Sequence, residues 1–407
     1  MKTRTLFAEG HLIDSGILSK ILNGILQDGG DYRVISFDVG KTPEAVSSIE
    51  LELNCRDEGR LQAIADKLTQ LGVFEREVQE AVLRPAMRDR HAPDDFYSTT
   101  NHPTEVYYRG AWRKVMKQRM DAVLVWREQY HTFACTKLRD LVHGDMVLCG
   151  GDSLRVFPAA SSPRRGDFSF MANEVSSERS DRAAVDRVAS ELADIRRRGG
   201  KVAAVCGPAV IHTGAGDALA WLIREGYIKR LLGGNALAVH DIESQLYGTS
   251  LGVDLNTGEV IEHGHTHHMR AINYINGYGS IAEAVVQGGL TAGVMYEVIK
   301  AGIPYCLAGS IRDDGPLPET VTDMIEAQDQ YAKIIEDAEL IVMFSSMLHA
   351  IGTGNMTPSW VKMVCVDINP AVVTKLSDRG SAHTVGIVSD TGLFLHELVR
   401  RLTQLEE

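Results

Sequence analysis

The chain has 407 residues, 44% of them apolar and 24% charged, which predicts a globular protein of two or three domains. A net charge of -12 argues against a general nucleic-acid binder. The six cysteines (55, 135, 149, 206, 306 and 365) contain no C-x-x-C pair, which favours a reducing, cytoplasmic setting over a disulfide framework or a zinc site. The N-terminal stretch MKTRTLFAEGHLIDSG has no apolar core of the signal-peptide kind, and no apolar run reaches the roughly 18 residues of a membrane span.

Taken in chain order, residues 3–13 read as a strand and Ile17 to Leu26 as an amphipathic helix, with Ser15 as its N-cap. DYRVISFDVG and SSIELELNC alternate apolar and polar residues and are expected as strands. RDEGRLQAIADKLTQLG is a helix that stops at Gly72. The order β-α-β-β-α-β predicts a ferredoxin-like α+β unit over residues 1–76. Residues 77–160 carry short strands and turns (TEVYYRGAWRKV, DAVLVWRE, DMVLCGGDSLRVF), with YRGAW as a hairpin signal, and predict a small β-rich module. PAASSPRRGDFSF reads as a linker.

The remainder, 161–407, opens on the long amphipathic helix SDRAAVDRVASELADIRRRGG. KVAAVCGPAV follows as a nearly continuous apolar run, the mark of a strand covered on both faces. Apolar strands (KRLLGG, YCLAGS, AELIVMFSS, VKMVCVDIN, AHTVGIVS) then alternate with helices, which predicts an α/β fold with a doubly wound parallel sheet.

Each of these strands ends in a polar cluster, and the carboxyl ends of parallel strands share one edge, where ligands sit in such sheets. Cys206-Gly207-Pro208 leads into His212-Thr213-Gly214-Ala215-Gly216-Asp217, either a plain turn or a site where backbone amides face an anion. Gly233-Gly234-Asn235-Ala236 leads into His240, Asp241 and Glu243; the alternative for the two acids is a solvated helix surface. AGSIRDDGPLPE places Asp313 and Asp314 beside Arg312, able to hold an ammonium or shift a proton, or simply a solvated loop. FSSMLHAIGTGN contributes Ser345, Ser346 and His349; Asp367 ends MVCVDIN, where an acid can bond ribose hydroxyls; and Ser389-Asp390-Thr391-Gly392 opens the last helix. HGHTHH, His263 to His268, is expected as a loop or helix cap without metal. There is no G-x-G-x-x-G after the first strand, no P-loop and no G-x-S-x-G elbow, so a nucleotide site has to be built mainly on late strands.

GGNALAVHDIESQLYGTSLGVDLNTGE, AGSIRDDGPLPETVTDMIEAQ, NHPTEVYYRGAWRKV and RMDAVLV resemble the archaeal-type, NAD-dependent ornithine cyclodeaminases. That family also carries the label LOR/SDH bifunctional enzyme conserved region, and its unit forms the C-terminal half of cyanobacterial arginine-guanidine-removing enzymes. The resemblance spans essentially the whole chain. Residues from about 180 onward also look like the deoxyhypusine synthase type of NAD-binding fold. The resemblance implies NAD contacts from Asn235 and Ala236 and from Ser346, Met347, Leu348 and His349, with Asp367 on the adenosine ribose and Asp390 and Thr391 closing the site. It implies Asp313 and Asp314 as holders of the substrate amine, and Asp241, His240 or Cys206, unranked, as proton carriers. The expected reaction converts ornithine to proline and ammonia with NAD as a returning hydride carrier. The expected partners are a small diamino acid and other copies of the chain, with neither nucleic acid nor membrane.

Three other readings stay open. One is an amino-acid or opine-type dehydrogenase with net redox change. Another is an amine-oxidising transferase, which would need a lysine carrier, and Lys333, Lys362 and Lys375 sit in no convincing motif. The last is a regulator that binds NAD or an amino acid without chemistry.

Overall fold

The computed structural model describes residues 2–10, 12, 16–40, 47–75, 79–157, 177–255, 257–259, 261, 264–313, 315–378 and 384–406. The chain divides into two compact units, one of Met1–Phe168 with Pro358–Trp360 and Gly380–His383, the other of Ser169–Thr357 with Val361–Arg379 and Thr384–Glu407. The expected linker at 158–170, the Ser15 cap and Asp314 lie outside the described residues.

The first unit opens with β1 (Lys2–Gly10), α1 (Ile17–Gln27), β2 (Asp31–Asp38), β3 (Ser47–Cys55), α2 (Glu58–Thr69) and β4 (Val73–Phe74). Their antiparallel order β2-β3-β1-β4 is the ferredoxin-like arrangement predicted from the alternation. Strand β3 alternates buried and half-buried residues along its whole length, so Ile49, Leu51 and Leu53 pack beneath Ile21, Ile25, Leu61 and Ile64 of the two helices. The side chain of Asp57 caps α2 by accepting the Arg60 N–H at 2.8 Å.

The β-rich part follows with β5 (Val82–Pro85), β6 (Thr104–Tyr108), β7 (Ala111–Lys114), β8 (Val123–Arg127), β9 (Thr132–Thr136), β10 (Met146–Cys149) and β11 (Leu154–Val156). The predicted YRGAW hairpin joins β6 to β7, with Arg109 and Gly110 both at positive φ (54° and 72°), as a two-residue turn of the tight hairpin type requires. DMVLCGGDSLRVF forms two strands, β10 and β11. The chain breaks at Gly150, φ 73°, and β10 joins the sheet β5-β10-β8-β9 while β11 joins β11-β6-β7.

The second unit runs α3 (Ser177–Arg197), β12 (Val202–Cys206), α4 (Ala209–His212), α5 (Gly216–Arg224), β13 (Arg230–Gly234), α6 (Asn235–Tyr247), β14 (Thr249–Ser250), β15 (Val253–Asp254), α7 (His267–Tyr278), α8 (Ile281–Val286) and α9 (Val294–Ala301). It continues with β16 (Tyr305–Ala308), β17 (Thr320–Val321), α10 (Met324–Ile334), β18 (Leu340–Phe344), α11 (Met347–Met356), β19 (Lys362–Asp367), α12 (Pro370–Asp378), β20 (Thr384–Val388) and α13 (Thr391–Glu406). Seven strands form one parallel sheet in the order β17-β16-β13-β12-β18-β19-β20. The continuous apolar runs have a direct cause. Successive side chains of a strand point to opposite faces. Val202, Ala204 and Cys206 of β12 and Leu340, Val342 and Phe344 of β18 enter a core with α3, α5, α6, α9 and α13. Ala203, Val205, Ile341 and Met343 enter a second core with α10, α11 and α12. Both faces are dry, so neither register can be polar. Among the described residues, no helix is long and apolar enough to cross a membrane.

Candidate functional site

The sheet order reverses beside β12. The chain lays β13, β16 and β17 to one side of it and β18, β19 and β20 to the other. In open sheets of this kind, ligands sit outside the carboxyl ends of the two strands that adjoin the reversal, here β12 and β18. Gly207 follows β12 and donates its N–H to Phe344 O at 2.9 Å. A methyl group on Gly207 would overlap the carbonyl oxygen of Ser345 and stand 2.9 Å from its carbon, so only glycine fits. Ser345 itself adopts the left-handed conformation (φ 46°), with its N–H on Val366 O and its hydroxyl on that of Thr391.

His349, in the first turn of α11, meets the Ser346 hydroxyl with Nδ1 at 2.9 Å. Its ring lies over Gly234 at the end of β13, where a methyl group would stand 3.0 Å from Cε1. Burial lowers the His349 pKa and the carboxylate of Asp313 partly opposes this. Tyr331 of α10 donates its hydroxyl to Gly233 O at 2.7 Å, with its ring 6.1 Å from that of His349. Tyr331 carries no motif, and its part in shaping this edge is invisible in the sequence.

Asn235 opens α6 and is 3% exposed. Its carboxamide oxygen accepts the Leu317 N–H and the Thr320 hydroxyl, both at 2.9 Å, and its nitrogen donates to Gly315 O at 3.4 Å. The side chain therefore ties the loop after β16 to the end of β13, and what it leaves toward the strand ends is backbone. Asp313, in that loop, accepts the Ser310 N–H at 2.8 Å. Ala236 is half-buried, whereas Met347 and Leu348 are 41% and 80% exposed. Asp367 is buried at the tip of β19 and accepts the Asn369 N–H. Asp390 accepts the Leu393 N–H at the start of α13, where Thr391 is buried.

Two of the expected proton carriers, Cys206 and Asp241, are fully buried. Cys206 is fully buried within β12, and burial pushes its thiol far up. The Asp241 carboxylate, wholly buried, accepts the N–H groups of Val294 and Met295, each at 2.8 Å, at the start of α9. Burial first, opposed by those two bonds, raises its pKa to about 7. Its i,i+3 spacing to Ser244 and its i+1 relation to His240 turn it away from the face that His240 occupies.

His240 is 8% exposed. Its Nδ1 lies 2.8 Å from Oε2 of Glu243, which is 0% exposed, so the alternative of a solvated helix surface does not hold for this acid. The His212 ring, at the end of α4, stands edge-on to His240 with centroids 4.7 Å apart, and its Nδ1 meets the Ser250 hydroxyl at 2.7 Å. Burial first, then His240, pushes the His212 pKa down to about 4. Of the histidine run, His267 and His268 begin α7, with His267 Nδ1 on the Thr249 hydroxyl at 2.8 Å, while His263 lies outside the described residues.

Three family descriptions cover nearly all of the chain: "LOR/SDH bifunctional enzyme conserved region" over residues 3–102, "Arginine dihydrolase ArgZ-like, C-terminal, first region" over 103–185, and "Arginine dihydrolase ArgZ-like, C-terminal, Rossmann fold" over 186–398. The chain belongs to the ArgZ-like C-terminal family. Within it, the chain is 46% identical over 407 residues to a protein of Methanothermobacter thermautotrophicus called ornithine cyclodeaminase, covering 100% of this chain and 99% of the relative. The apo crystal structure of ArgZ, an arginine dihydrolase of the cyanobacterial ornithine-ammonia cycle, superposes with a TM-score of 0.87 at 44% identity. This chain is covered in full there and spans 59% of ArgZ. The ternary complex of AgrE with ornithine and NAD+ matches 99% of this chain and 58% of AgrE, with a TM-score of 0.55 at 47% identity.

Proposed function

We propose that this protein is an NAD-dependent ornithine cyclodeaminase, an ammonia-lyase that turns L-ornithine into L-proline and ammonia. The observation that carries the reading is the close meeting of Gly207 and Ser345 at the carboxyl ends of β12 and β18, where the sheet order reverses, in a chain that is 47% identical to AgrE, whose complex holds ornithine and NAD+.

The residues around these strand ends fit a dinucleotide. Gly207 lets the backbone after β12 meet that of Ser345, and Gly234 lets the His349 ring lie against the end of β13. Helices α6 and α11 begin without a side-chain cap, so their first N–H groups face outward toward an anion. Asp367 stands at a strand tip, where a carboxylate can accept from ribose hydroxyls. The holding set is Asn235 and Ala236 through backbone, then Ser346, Met347, Leu348, His349, Asp367, Asp390 and Thr391. When bound, NAD supplies a two-electron acceptor that takes hydride from the substrate α-carbon and returns it to the cyclised imine, with no net redox change.

The chain's own groups do the rest. Asp313, with Asp314 beside it in sequence, holds the ammonium of the substrate by charge. His240 takes a proton at Nε2 from the α-ammonium, because a protonated amine has no lone pair to assist loss of hydride. Placing both amines of one substrate in one site makes ring closure unimolecular. The three-part division 1–76, 77–160 and 161–407 puts every one of these residues in the last part, and the working form on this reading is a cytoplasmic homo-oligomer.

The test is turnover against cofactor. Purified protein with ornithine and substoichiometric NAD is expected to make proline and ammonia well beyond one equivalent of NAD. Accumulation of one NADH per turnover would move the reading to a dehydrogenase. No product from ornithine, with NAD bound, would end it.

A further inference from the structure

Glu243 accepts four hydrogen bonds from its surroundings. It follows His240 by three residues on α6, so the two side chains share a helix face. Gly248, in the left-handed conformation at φ 69°, ends the helix and turns the chain back under that face. One carboxylate oxygen then accepts the Thr249 hydroxyl at 2.9 Å and the Gly252 N–H at 3.1 Å. The other accepts the Leu251 N–H at 3.3 Å and His240 Nδ1 at 2.8 Å. Burial alone would raise the Glu243 pKa, but the bonds from His240, Gly252 and Thr249 outweigh it and the pKa is lowered. An ionised carboxylate only accepts, so the hydrogen on this contact belongs to His240 Nδ1. In the neutral ring with that hydrogen on Nδ1, Nε2 is the nitrogen able to accept a proton.

We propose that Glu243 is a positioning residue that holds His240 in its Nδ1–H tautomer, so that His240 Nε2 takes the proton of the substrate's α-ammonium. This rests on the reading above. In the step, the N–H pair of electrons stays on the substrate nitrogen, the proton moves to Nε2, and the imidazolium charge is balanced by the buried carboxylate behind it. The groups around His240 suit that task. His212 of α4 is edge-on at 4.7 Å, and burial keeps it neutral at pH 7, so it adds no competing charge. His268 of α7 lies 6.5 Å away, and Asp241 on the next position points to α9. A carboxylate oriented behind an imidazole is the arrangement that fixes tautomer and ring angle in acid–base sites.

A tether for residues 249–252 is the alternative role, and Glu243→Gln separates the two. The carboxamide oxygen can still accept from Thr249 and Gly252, but its NH2 group now faces Nδ1 and forces the ring into the Nε2–H form. The expected result is a fall in kcat of about 100- to 10,000-fold, the scale of general acid–base catalysis, with KM and NAD affinity within about threefold. The pH profile of kcat is expected to lose its acid limb, and Glu243→Asp to recover part of the rate. Nitrogen-15 NMR of histidine-labelled protein should show His240 as Nδ1–H in the wild type and Nε2–H in Glu243→Gln. A variant within threefold of wild type, or a wild-type His240 in the Nε2–H form, overturns the proposal. If Glu243→Gln does not fold, His240→Gln decides: the same loss of kcat at unchanged KM supports the proposal, and retained kcat ends it. A wild type that makes no proline, yet shows the Nδ1–H signal, sinks the ornithine reading and with it the substrate step, while a wrong tautomer sinks only the dyad.

Discussion

A methyl group at Gly207 has nowhere to go, and the neighbour it would strike is backbone. Its closest contacts are the Ser345 carbonyl and the Ser346 Cβ, at the point where β12 and β18 part. Gly207→Ala is therefore expected to cost about 3 kcal/mol or more, the upper end of overpacking, read as a shift in the urea midpoint. Gly234 offers a contrast, because the atoms nearest its missing Cβ belong to the His349 ring, which can rotate. Gly234→Ala should fold with a loss under about 1.5 kcal/mol and weaken NAD binding at least tenfold by displacing His349, measurable by calorimetry. An alanine at Gly207 that leaves stability untouched would contradict the close approach of β12 and β18.

Helix α9 borrows its cap from another helix. Gly293 precedes it with φ 100° and offers no side chain, so the first two N–H groups turn to the Asp241 carboxylate. Asp241→Ala leaves two buried donors unpaired and is expected to destabilise the protein by about 2 kcal/mol. Hydrogen exchange at Val294 and Met295 should quicken more than at the sheet. The Asp241→Asn variant keeps one acceptor and should fall between. If Asp241→Ala instead removed turnover while leaving stability and exchange unchanged, the carboxylate would belong to catalysis and not to α9.

Across the whole molecule, acid meets two histidines that folding keeps neutral. Burial pushes the pKa of His102, in the first unit, from 6.5 to about 4, and His212 of the second unit moves to about 4 from the same cause. His102 Nδ1 has no hydrogen-bond partner among the described residues. In both cases the folded pKa lies below the unfolded value, so between pH 6.5 and 4 the unfolded chain binds protons that the folded one refuses. Their contribution is thus harmless above pH 6.5 and erodes stability as pH falls toward 4, by at most about 1.4 kcal/mol per pH unit for His102. His102→Gln should gain on the wild type by that slope when urea unfolding is compared at pH 7, 6 and 5. A difference independent of pH would show that His102 titrates as an ordinary exposed imidazole.

Local pattern settled a great deal. The runs KVAAVC and LIVMF are apolar at every position because both faces of a central parallel strand are covered, and that reads directly off the residues. The β-α-β-β-α-β order, the YRGAW turn and the glycines at the ends of β12, β13 and β16 follow from the same short-range rules. So does the gathering of polar clusters on one edge, since parallel strands end on the same side. What local pattern left open is which polar group faces which. Asp241, Glu243 and Asn235 all read as plausible ligands or solvated side chains, and packing sent them respectively to α9, to the 249–252 turn behind His240, and to the loop after β16. Periodicity and turn chemistry act over a few residues. The partner of a buried carboxylate is chosen by segments dozens of positions away, such as Val294 for Asp241, and their distance exists only once the helices have docked.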